Sequence, residues 1–288
     1  MEYSPKKIQL LLEKHGFNLK KNFGQNFIVD ENIIRAIMNK AGIDKNTLVL
    51  EIGPGAGSLT YYLGLEAKQV LCYEIDTSLK SVLEETLHEL DNVRVIYEDF
   101  LKANVLDDLQ DYEYDQLYVV ANLPYYITTP IIMKIIEEGI PVQKLVIMVQ
   151  KEVGDRFKAV PGTKDYNSLS VYLHYYFDVK KILDISRNVF LPKPNVDSIV
   201  LELVRKQTSY EIQNESLFFD LVRNSFKQKR KTLRNNLNGL YHLELIESVL
   251  KKYHLDLSVR AEQLPIEIFV EMANVLDGHE DSKPHERR

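Results

Sequence analysis

Cysteine and long apolar segments are scarce in this chain of 288 residues, and each shortage excludes a class of protein. Cys72 is the single cysteine, so an intrachain disulfide and a cluster of zinc-bound thiolates are both excluded. No segment approaches the ~20 uninterrupted apolar residues of a membrane helix, and no apolar run follows the lysines near the N-terminus. We therefore expect a cytoplasmic protein with no membrane partner and no metal.

The composition is that of a folded protein, with 45% apolar and 27% charged residues. A chain of this length accommodates one large core and a smaller second domain. The net charge of −6 argues mildly against an anionic partner, but nucleic-acid recognition depends on local clusters of charge. One such cluster is Arg223–Arg234, which contains six Lys and Arg residues and no Asp or Glu.

Short β-branched and apolar runs alternate with amphipathic stretches up to about Arg205, which is typical of a parallel sheet flanked by helices. The predicted parallel strands are Leu48–Ile52, Val70–Ile75, Val93–Tyr97, Gln116–Ala121 and Lys144–Val149. The predicted helices between them are Leu59–Glu66, Ser78–Glu89 and Pro130–Glu138. Lys181–Ile185 and Ser198–Val204 have no long helix between them, so we expect antiparallel edge strands there. The predicted fold class is α/β.

Beyond Arg205 the strand signal ends and only helical patterns remain. The helices predicted there are Ser216–Lys227, Leu243–His254 and Ile266–Leu276. We therefore predict a catalytic domain over residues 1–205, a small helical domain over 206–276, and a polar, disordered tail over 277–288.

A glycine-rich turn follows the first predicted strand, in Val49-Leu50-Glu51-Ile52-Gly53-Pro54-Gly55-Ala56-Gly57. Glycines there let the backbone approach a ligand without an intervening Cβ. The next strand ends at Glu74, whose carboxylate can accept hydrogen bonds from the ribose hydroxyls of an adenosine-containing cofactor. Asp99, after Glu98 at the end of the third strand, can accept from the cofactor's adenine amine, although a solvated acid fits that position equally well.

The glycine spacing separates two classes of cofactor. Dinucleotide-binding dehydrogenases space their glycines G-x-G-x-x-G, whereas here Gly57 comes one position early and Ser58 takes the third place. S-adenosylmethionine has no phosphate and carries an ammonium and a sulfonium, which suits an acidic residue such as Glu51 beside the turn. The spacing favours S-adenosylmethionine over NAD, and a tight turn without any ligand stays open.

The fourth predicted strand delivers Asn122-Leu123-Pro124-Tyr125 to the edge of the sheet where ligands bind. An adenine amine is a weak nucleophile, and two acceptors can orient it: the Asn122 side-chain oxygen and the Leu123 carbonyl. Pro124 stiffens the turn, and the Tyr125 ring can stack on an extruded base. The amine loses its proton after attack, so positioning and desolvation would supply most of the catalysis. An ordinary Asn-Pro turn is the alternative interpretation.

Taken together, these motifs make the chain resemble the ribosomal RNA adenine dimethyltransferase family over about residues 18–276. The segments that carry the resemblance are Phe23-Gly24-Gln25-Asn26-Phe27, the glycine-rich turn, Asn122-Leu123-Pro124-Tyr125-Tyr126-Ile127-Thr128-Thr129-Pro130-Ile131, Gln150-Lys151-Glu152-Val153, Phe190-Leu191-Pro192-Lys193-Pro194-Asn195-Val196-Asp197-Ser198 and Lys229-Arg230-Lys231-Thr232-Leu233-Arg234-Asn235-Asn236-Leu237. Small departures from the family pattern are Phe23 and Ile28, at positions where the family has Leu, and Gly154 where Ala is common.

The resemblance implies a Rossmann-like, seven-stranded methyltransferase sheet that uses S-adenosylmethionine. It places the cofactor contacts at Asn26, Ile28, Gly53, Glu74, Asp99 and Asn122. It offers Phe190 as a second aromatic wall for the target base, with core packing as the alternative. The implied reaction is dimethylation of N6 on two adjacent adenosines in the 3′-terminal hairpin of 16S rRNA, within the immature small subunit.

The acid-free cluster favours RNA as the partner, since basic side chains neutralise phosphates. The residues expected to bind RNA are Lys227, Lys229, Arg230, Lys231 and Arg234, with Lys6-Lys7 and Lys20-Lys21 as additions to that surface. We expect a monomer. Three alternative functions stay open: an assembly factor that mainly occupies the small subunit, the antibiotic-resistance branch that methylates 23S rRNA, and an NAD-dependent dehydrogenase.

Overall fold

The computed structural model describes residues 5–17, 26–207 and 210–279, and these residues form nine strands and twelve α-helices. The strands are β1 (Phe27–Ile28), β2 (Thr47–Ile52), β3 (Gln69–Tyr73), β4 (Val93–Ile96), β5 (Gln116–Asn122), β6 (Lys144–Gln150), β7 (Phe177–Ile185), β8 (Phe190–Leu191) and β9 (Ser198–Arg205). The helices are α1 (Pro5–Lys14), α2 (Glu31–Ala41), α3 (Ser58–Glu66), α4 (Lys80–Leu87), α5 (Val105–Leu109), α6 (Thr128–Glu137), α7 (Lys151–Phe157), α8 (Ser168–Tyr176), α9 (Glu215–Ser225), α10 (Leu233–Leu237), α11 (Leu243–Lys252) and α12 (Ile266–Asp277).

Seven of the strands form one sheet in the order β4-β3-β2-β5-β6-β9-β7. The five strands from β4 to β6 are parallel, and β9 runs antiparallel to β6. The chain builds outward from β2 through β3 to β4, then returns to the other side of β2 with β5. Ligands of such sheets bind outside the carboxyl ends of the strands where the winding direction reverses. The ends of β2 and β5 are therefore the expected place for a site.

Burial explains why these segments are strands. All six residues of β2 are buried, as are the five central residues of β5 and of β6. Parallel strands covered on both faces by helices read as continuous apolar runs, which is the pattern in the sequence. The predicted Rossmann-like seven-stranded sheet is confirmed, and each predicted strand lies within a few residues of the observed one.

One strand differs from the prediction in its place. β9 lies between β6 and β7, so β7 alone is an edge strand of that pair. The pairing of β9 with β6 runs from Lys144 opposite Val204 to Gln150 opposite Ser198. Ile199, Val200 and Leu201 are almost fully buried, as an interior strand requires.

The chain divides into two compact units, and the division differs from the predicted boundary. The first unit contains residues up to Gly154 together with Val179–Arg205, and the second contains Asp155–Asp178 together with the residues from Lys206 onward. Residues 155–178, predicted within the catalytic domain of residues 1–205, thus group with the helical domain predicted over 206–276.

Aromatic contacts within the second unit give the physical reason for this correction. The Tyr172 hydroxyl of α8 donates to the Phe219 carbonyl of α9 at 2.9 Å, and the two rings pack edge to face at 4.8 Å. Tyr175 of α8 also packs on Phe218 of α9, with the rings tilted by 42° and their centroids 5.2 Å apart. The predicted tail of residues 277–288 begins within α12, and residues 280–288 lie outside the described residues, as do Lys20, Lys21, Phe23 and the side chain of Lys6.

Gly154, a departure from the family pattern, packs closely against Ile199 of β9. A Cβ at Gly154 would lie 2.3 Å from Cδ1 and 2.6 Å from Cγ1 of Ile199. We expect Gly154→Ala to lower the free energy of unfolding by about 1–2 kcal/mol, because overpacking outweighs the better helix propensity of alanine. Urea unfolding measures this loss.

The same change in an Ile199→Ala background is the control. There the clash is gone, so we expect Gly154→Ala to be neutral or stabilising by up to about 1 kcal/mol. Equal losses in the two backgrounds would contradict the assigned contact.

Candidate active site

A cleft at the carboxyl ends of β2 and β5 encloses about 930 Å³ including its open mouth. It lies wholly within the first unit. The predicted cofactor and catalytic residues that line it are Asn26, Ile28, Gly53, Glu74, Asp99, Asn122, Leu123, Pro124 and Tyr125. The fold therefore brings together residues from five separate segments of the sequence.

The glycine-rich turn forms the floor of the cleft. Gly53, Gly55 and Gly57 have φ angles of 74°, 60° and 82°, in the left-handed region that side-chain-bearing residues rarely adopt. A Cβ at Gly53 would touch the Pro124 ring at 3.6 Å, and one at Gly55 would lie 3.0 Å from the Phe27 ring. The glycines thus let the turn lie directly against the predicted catalytic loop, Asn122–Tyr125, and against β1.

Glu74 leaves the end of β3 with its carboxylate held by the backbone. Its Oε2 accepts from the Gly55 N–H at 3.1 Å, and its Oε1 accepts from the Asp76 N–H at 2.8 Å. Burial raises the pKa of the Glu74 carboxyl to about 7, although both backbone donors lower it. The carboxylate keeps free lone pairs at the cleft and is well placed to accept from hydroxyl donors.

Glu51, which precedes the glycine turn, is a second buried carboxyl at the cleft. Burial raises its pKa to about 8, and the negative charge of Glu74 adds to the rise. The Cys72 thiol of the neighbouring strand donates to its Oε2 at 3.6 Å. Near neutral pH the Glu51 carboxyl thus keeps a proton that an exposed carboxyl would release.

Asp99 and Phe100 form a third wall, after β4. The Asp99 Oδ1 accepts from the Leu101 N–H at 3.0 Å, and its carbonyl accepts from the N–H groups of Lys102 and Ala103. The Phe100 ring lies edge-on to Tyr73 with centroids 5.5 Å apart. Sequence analysis chose Asp99 from its place at a strand end, but no signal identified Phe100 as part of the cleft.

Asn122 carries the most informative contact of the site. Its Nδ2 donates to the Asn26 carbonyl at 2.9 Å. Its Oδ1 is buried and has no hydrogen-bond partner within the part of the chain that the structure describes. A buried acceptor without a donor costs free energy, and such an atom at a cleft is poised for a donor that arrives with a ligand.

Of the two predicted stacking rings, only Tyr125 lines the cleft. Its hydroxyl forms a 2.9 Å hydrogen bond with the Ser198 hydroxyl of β9, which fixes the ring. Phe190 is 4% exposed, belongs to the hydrophobic core and pairs opposite Ile28 in the small β1–β8 sheet. Its ring therefore packs as core, and a stacking role for it stays a prediction. Tyr126, which sequence analysis did not single out, lines the cleft and is 58% exposed.

The predicted RNA-binding side chains form an exposed basic segment in the second unit. All of these side chains are exposed: Lys227, Lys229, Arg230 and Lys231 lie between α9 and α10, and Arg234 lies in the first turn of α10. Buried Asn236 holds the segment's backbone, because its Nδ2 donates to the carbonyls of Ser225 and Gln228 and its Oδ1 accepts from the Gln228 N–H. Lys227, Arg230 and Lys231 form no ion pair with a described residue, so their charges face solvent.

Two further findings concern the described residues alone. None of their helices is long and apolar enough to cross a bilayer. No group of three or more His, Cys, Asp or Glu side chains among them is placed to hold a metal ion.

Comparison with known sequences gives one consistent result. The profile of the family described as ribosomal RNA adenine dimethylase matches residues 16–278. Ribosomal RNA small subunit methyltransferase A of Bacillus pumilus is 45% identical over 281 residues, which cover 95% of this chain and 96% of the relative. The protein of the same name from Streptococcus gordonii is also 45% identical, over 92% of this chain and 94% of its own.

Solved structures agree with the sequence matches. A dimethyladenosine transferase from Plasmodium falciparum superposes with a TM-score of 0.71 at 27% identity, over 84% of this chain and 94% of that one. The 23S rRNA methyltransferase ErmE superposes with a TM-score of 0.67 at 26% identity, over 88% of this chain and 100% of that one.

The raised pKa of Glu51 makes stability depend on pH. Between its ordinary value of 4.5 and about 8, the unfolded chain loses the proton while the folded chain keeps it, so stability falls as pH rises. Glu51→Gln removes this dependence. We expect its stability relative to the unaltered protein to increase by about 3–5 kcal/mol from pH 4.5 to pH 8.5, measured by urea unfolding.

Glu66→Gln, at an exposed position at the end of α3, is the matched control and should shift stability little at any pH. A Glu51→Gln difference that stays constant across this pH range would contradict the buried, protonated carboxyl.

Proposed function

The chain belongs to the ribosomal RNA adenine dimethylase family, and from that premise we propose that it dimethylates N6 of two adjacent adenosines in the 3′-terminal hairpin of 16S rRNA. It is an S-adenosylmethionine-dependent ribosomal RNA adenine dimethyltransferase. The assignment to the small subunit is supported by relatives named ribosomal RNA small subunit methyltransferase A, at 45% identity over nearly their whole length. We further propose that the protein acts as a monomer, in the cytoplasm, on the immature subunit.

The residues of the cleft fit S-adenosylmethionine. Glu74 would accept from the two ribose hydroxyls, Asp99 from the adenine amine, and the turn at Gly53 would pass beneath the ligand without a Cβ in the way. Asn26 and Ile28 would close the cleft from the side of β1. When bound, the cofactor supplies an electrophilic methyl group on a sulfonium.

The observation that carries the proposed chemistry is the buried Oδ1 of Asn122, which has no hydrogen-bond partner among the described residues. We assign it to accept one hydrogen of the target adenine amine, while the adjacent Leu123 carbonyl accepts the other. The hydrogen bond from Asn122 Nδ2 to the Asn26 carbonyl fixes the orientation of the amide and therefore the position of Oδ1. With both hydrogens directed, the nitrogen lone pair is turned out of conjugation and toward the methyl donor.

Proton transfer places little demand on the side chains. Methyl transfer leaves a positively charged amine, which is a strong acid. It loses its proton readily after the transfer, so no base of high pKa has to remove that proton beforehand. Pro124 holds the loop against Gly53, and the Tyr125 ring, anchored through Ser198, offers a face for the extruded base. Both features act by positioning, which is where catalysis by this site would come from.

The exposed basic segment supports RNA as substrate. Its lysine and arginine side chains have no acidic neighbour in the sequence from Arg223 to Arg234 and would neutralise phosphates irrespective of base sequence. Double-stranded RNA is recognised largely by shape and by backbone contacts, which such a segment provides. The choice of adenosine would then come from the cleft rather than from the basic segment.

Asn122→Ala tests the assigned acceptor. We expect transfer of labelled methyl groups to immature small subunits to fall by at least about 100-fold, because the amine loses its orienting oxygen. The melting temperature should change little. Asn46→Ala, at the opposite edge of the same sheet before β2, is the matched control and should retain full activity. Activity of Asn122→Ala close to that of the control would exclude the mechanism.

The combined Lys227→Gln, Arg230→Gln and Lys231→Gln variant tests the basic segment. Loss of three phosphate contacts should weaken binding to the small-subunit hairpin and reduce the slope of log affinity against log salt by about 2–3. The measurement is a fluorescence-anisotropy titration at several salt concentrations.

The control for this variant removes equally exposed charges from the same unit, with Lys251→Gln and Lys252→Gln on α11. Its salt slope should match that of the unaltered protein. Equal slopes for all three proteins would place the RNA elsewhere.

A further inference from the structure

Lys134 is a charged side chain buried in α6, the helix that begins directly after the catalytic loop. Its side chain is 8% exposed. The Nζ donates to the Ala103 carbonyl at 2.9 Å and to Oε1 of Glu138 at 2.6 Å, and it lies 5.9 Å from the centroid of the Phe100 ring. Burying an ammonium costs free energy, which these two hydrogen bonds and the contact with the Phe100 ring offset.

What Lys134 contacts is the back of the third cleft wall. Ala103 ends the turn that starts at Asp99, and the Asp99 carbonyl accepts from the Ala103 N–H at 3.0 Å. Phe100, within that turn, is buried, and its ring contacts both the Tyr73 ring and the Lys134 ammonium. Asp99 and Phe100 both line the cleft, so Lys134 braces this wall from outside the cleft.

The other end of α6 is joined to the catalytic loop. The Thr128 hydroxyl, in the first turn of the helix, donates to the Pro124 carbonyl at 3.1 Å, and the Ile127 N–H donates to the same oxygen at 3.2 Å. Lys134 lies six residues further along the helix, about 9 Å at 1.5 Å per residue. One rigid helix therefore connects the loop that holds the target amine to the turn that carries Asp99.

We propose that Lys134 is a positioning residue for cofactor binding: through the Ala103 carbonyl and the Phe100 ring it fixes the Asp99 wall at the distance from the catalytic loop that an adenosine moiety requires. This inference rests on the proposed placement of the cofactor's adenine beside Asp99. Lys134 is not part of the cleft lining and touches no reacting atom, so it acts on the ligand through Asp99 and Phe100.

Lys134→Met is the direct test, because methionine fills most of the volume but leaves the Ala103 carbonyl without its donor. We expect the dissociation constant for S-adenosylmethionine, measured by calorimetry on the full chain without RNA, to rise about 10-fold or more. The kcat at saturating cofactor and the KM for the RNA hairpin should change by less than about 2–3-fold. Lys134→Arg, which keeps the charge and the donors, should restore most of the cofactor affinity.

Glu138→Gln is the matched control, since it removes the half-exposed partner of the ion pair and leaves the bond to Ala103. It should bind S-adenosylmethionine nearly as tightly as the unaltered protein. Unchanged cofactor affinity in Lys134→Met would overturn the proposal. So would a parallel loss of cofactor affinity, RNA affinity and kcat, which indicates a merely structural role.

If Lys134→Met does not fold, Lys134→Gln, which retains one donor, gives the same readout at smaller amplitude, and unchanged cofactor affinity there would likewise overturn the proposal. Cofactor binding without RNA also separates this inference from the proposed function. A protein that binds S-adenosylmethionine but does not methylate 16S rRNA would refute the assigned substrate. The effect of Lys134→Met on cofactor affinity could still be measured in that case.

Discussion

The hydrogen bond from Asn122 Nδ2 to the Asn26 carbonyl is the contact on which the account of the site depends. It fixes the orientation of the amide, whose Oδ1 is buried and has no hydrogen-bond partner among the residues that the structure describes. A buried acceptor without a donor costs free energy, so a ligand that brings a donor to this oxygen would be bound more tightly. The sheet makes the contact possible, because β5 ends beside the glycine turn that follows β2.

The cleft also contains two buried carboxyl groups with raised pKa values. Glu51 and Glu74 are both nearly inaccessible to water, and burial raises the pKa of each toward or above neutrality. A cationic ligand nearby would favour the ionised form of such groups. S-adenosylmethionine carries an ammonium and a sulfonium, and the position of Gly57 one residue early in the turn also favours it over a dinucleotide.

Sequence reasoning located those parts of the site that follow directly from strand ends. Gly53, Glu74 and Asp99 each follow a strand and Asn122 ends one, and parallel pairing must bring such positions to one edge of the sheet. It did not derive the role of Asn26, since a backbone carbonyl in a loop has no side-chain signature and lies 96 residues from its partner.

The role of Phe190 could not be decided from the sequence, because its burial follows from the pairing of β8 with the distant β1. Residues 155–178 were misassigned because long-range aromatic contacts, such as Tyr172 with Phe219, determine where they pack.

Mass spectrometry of ribosomal RNA from cells with and without this protein tests the central claim most directly, because it identifies the modified nucleotide, the number of methyl groups and the RNA that carries them. We expect two adjacent N6,N6-dimethyladenosines in the 3′-terminal hairpin of 16S rRNA, present with the protein and absent without it. Identical 16S rRNA in both cells, or a difference confined to 23S rRNA, would contradict it.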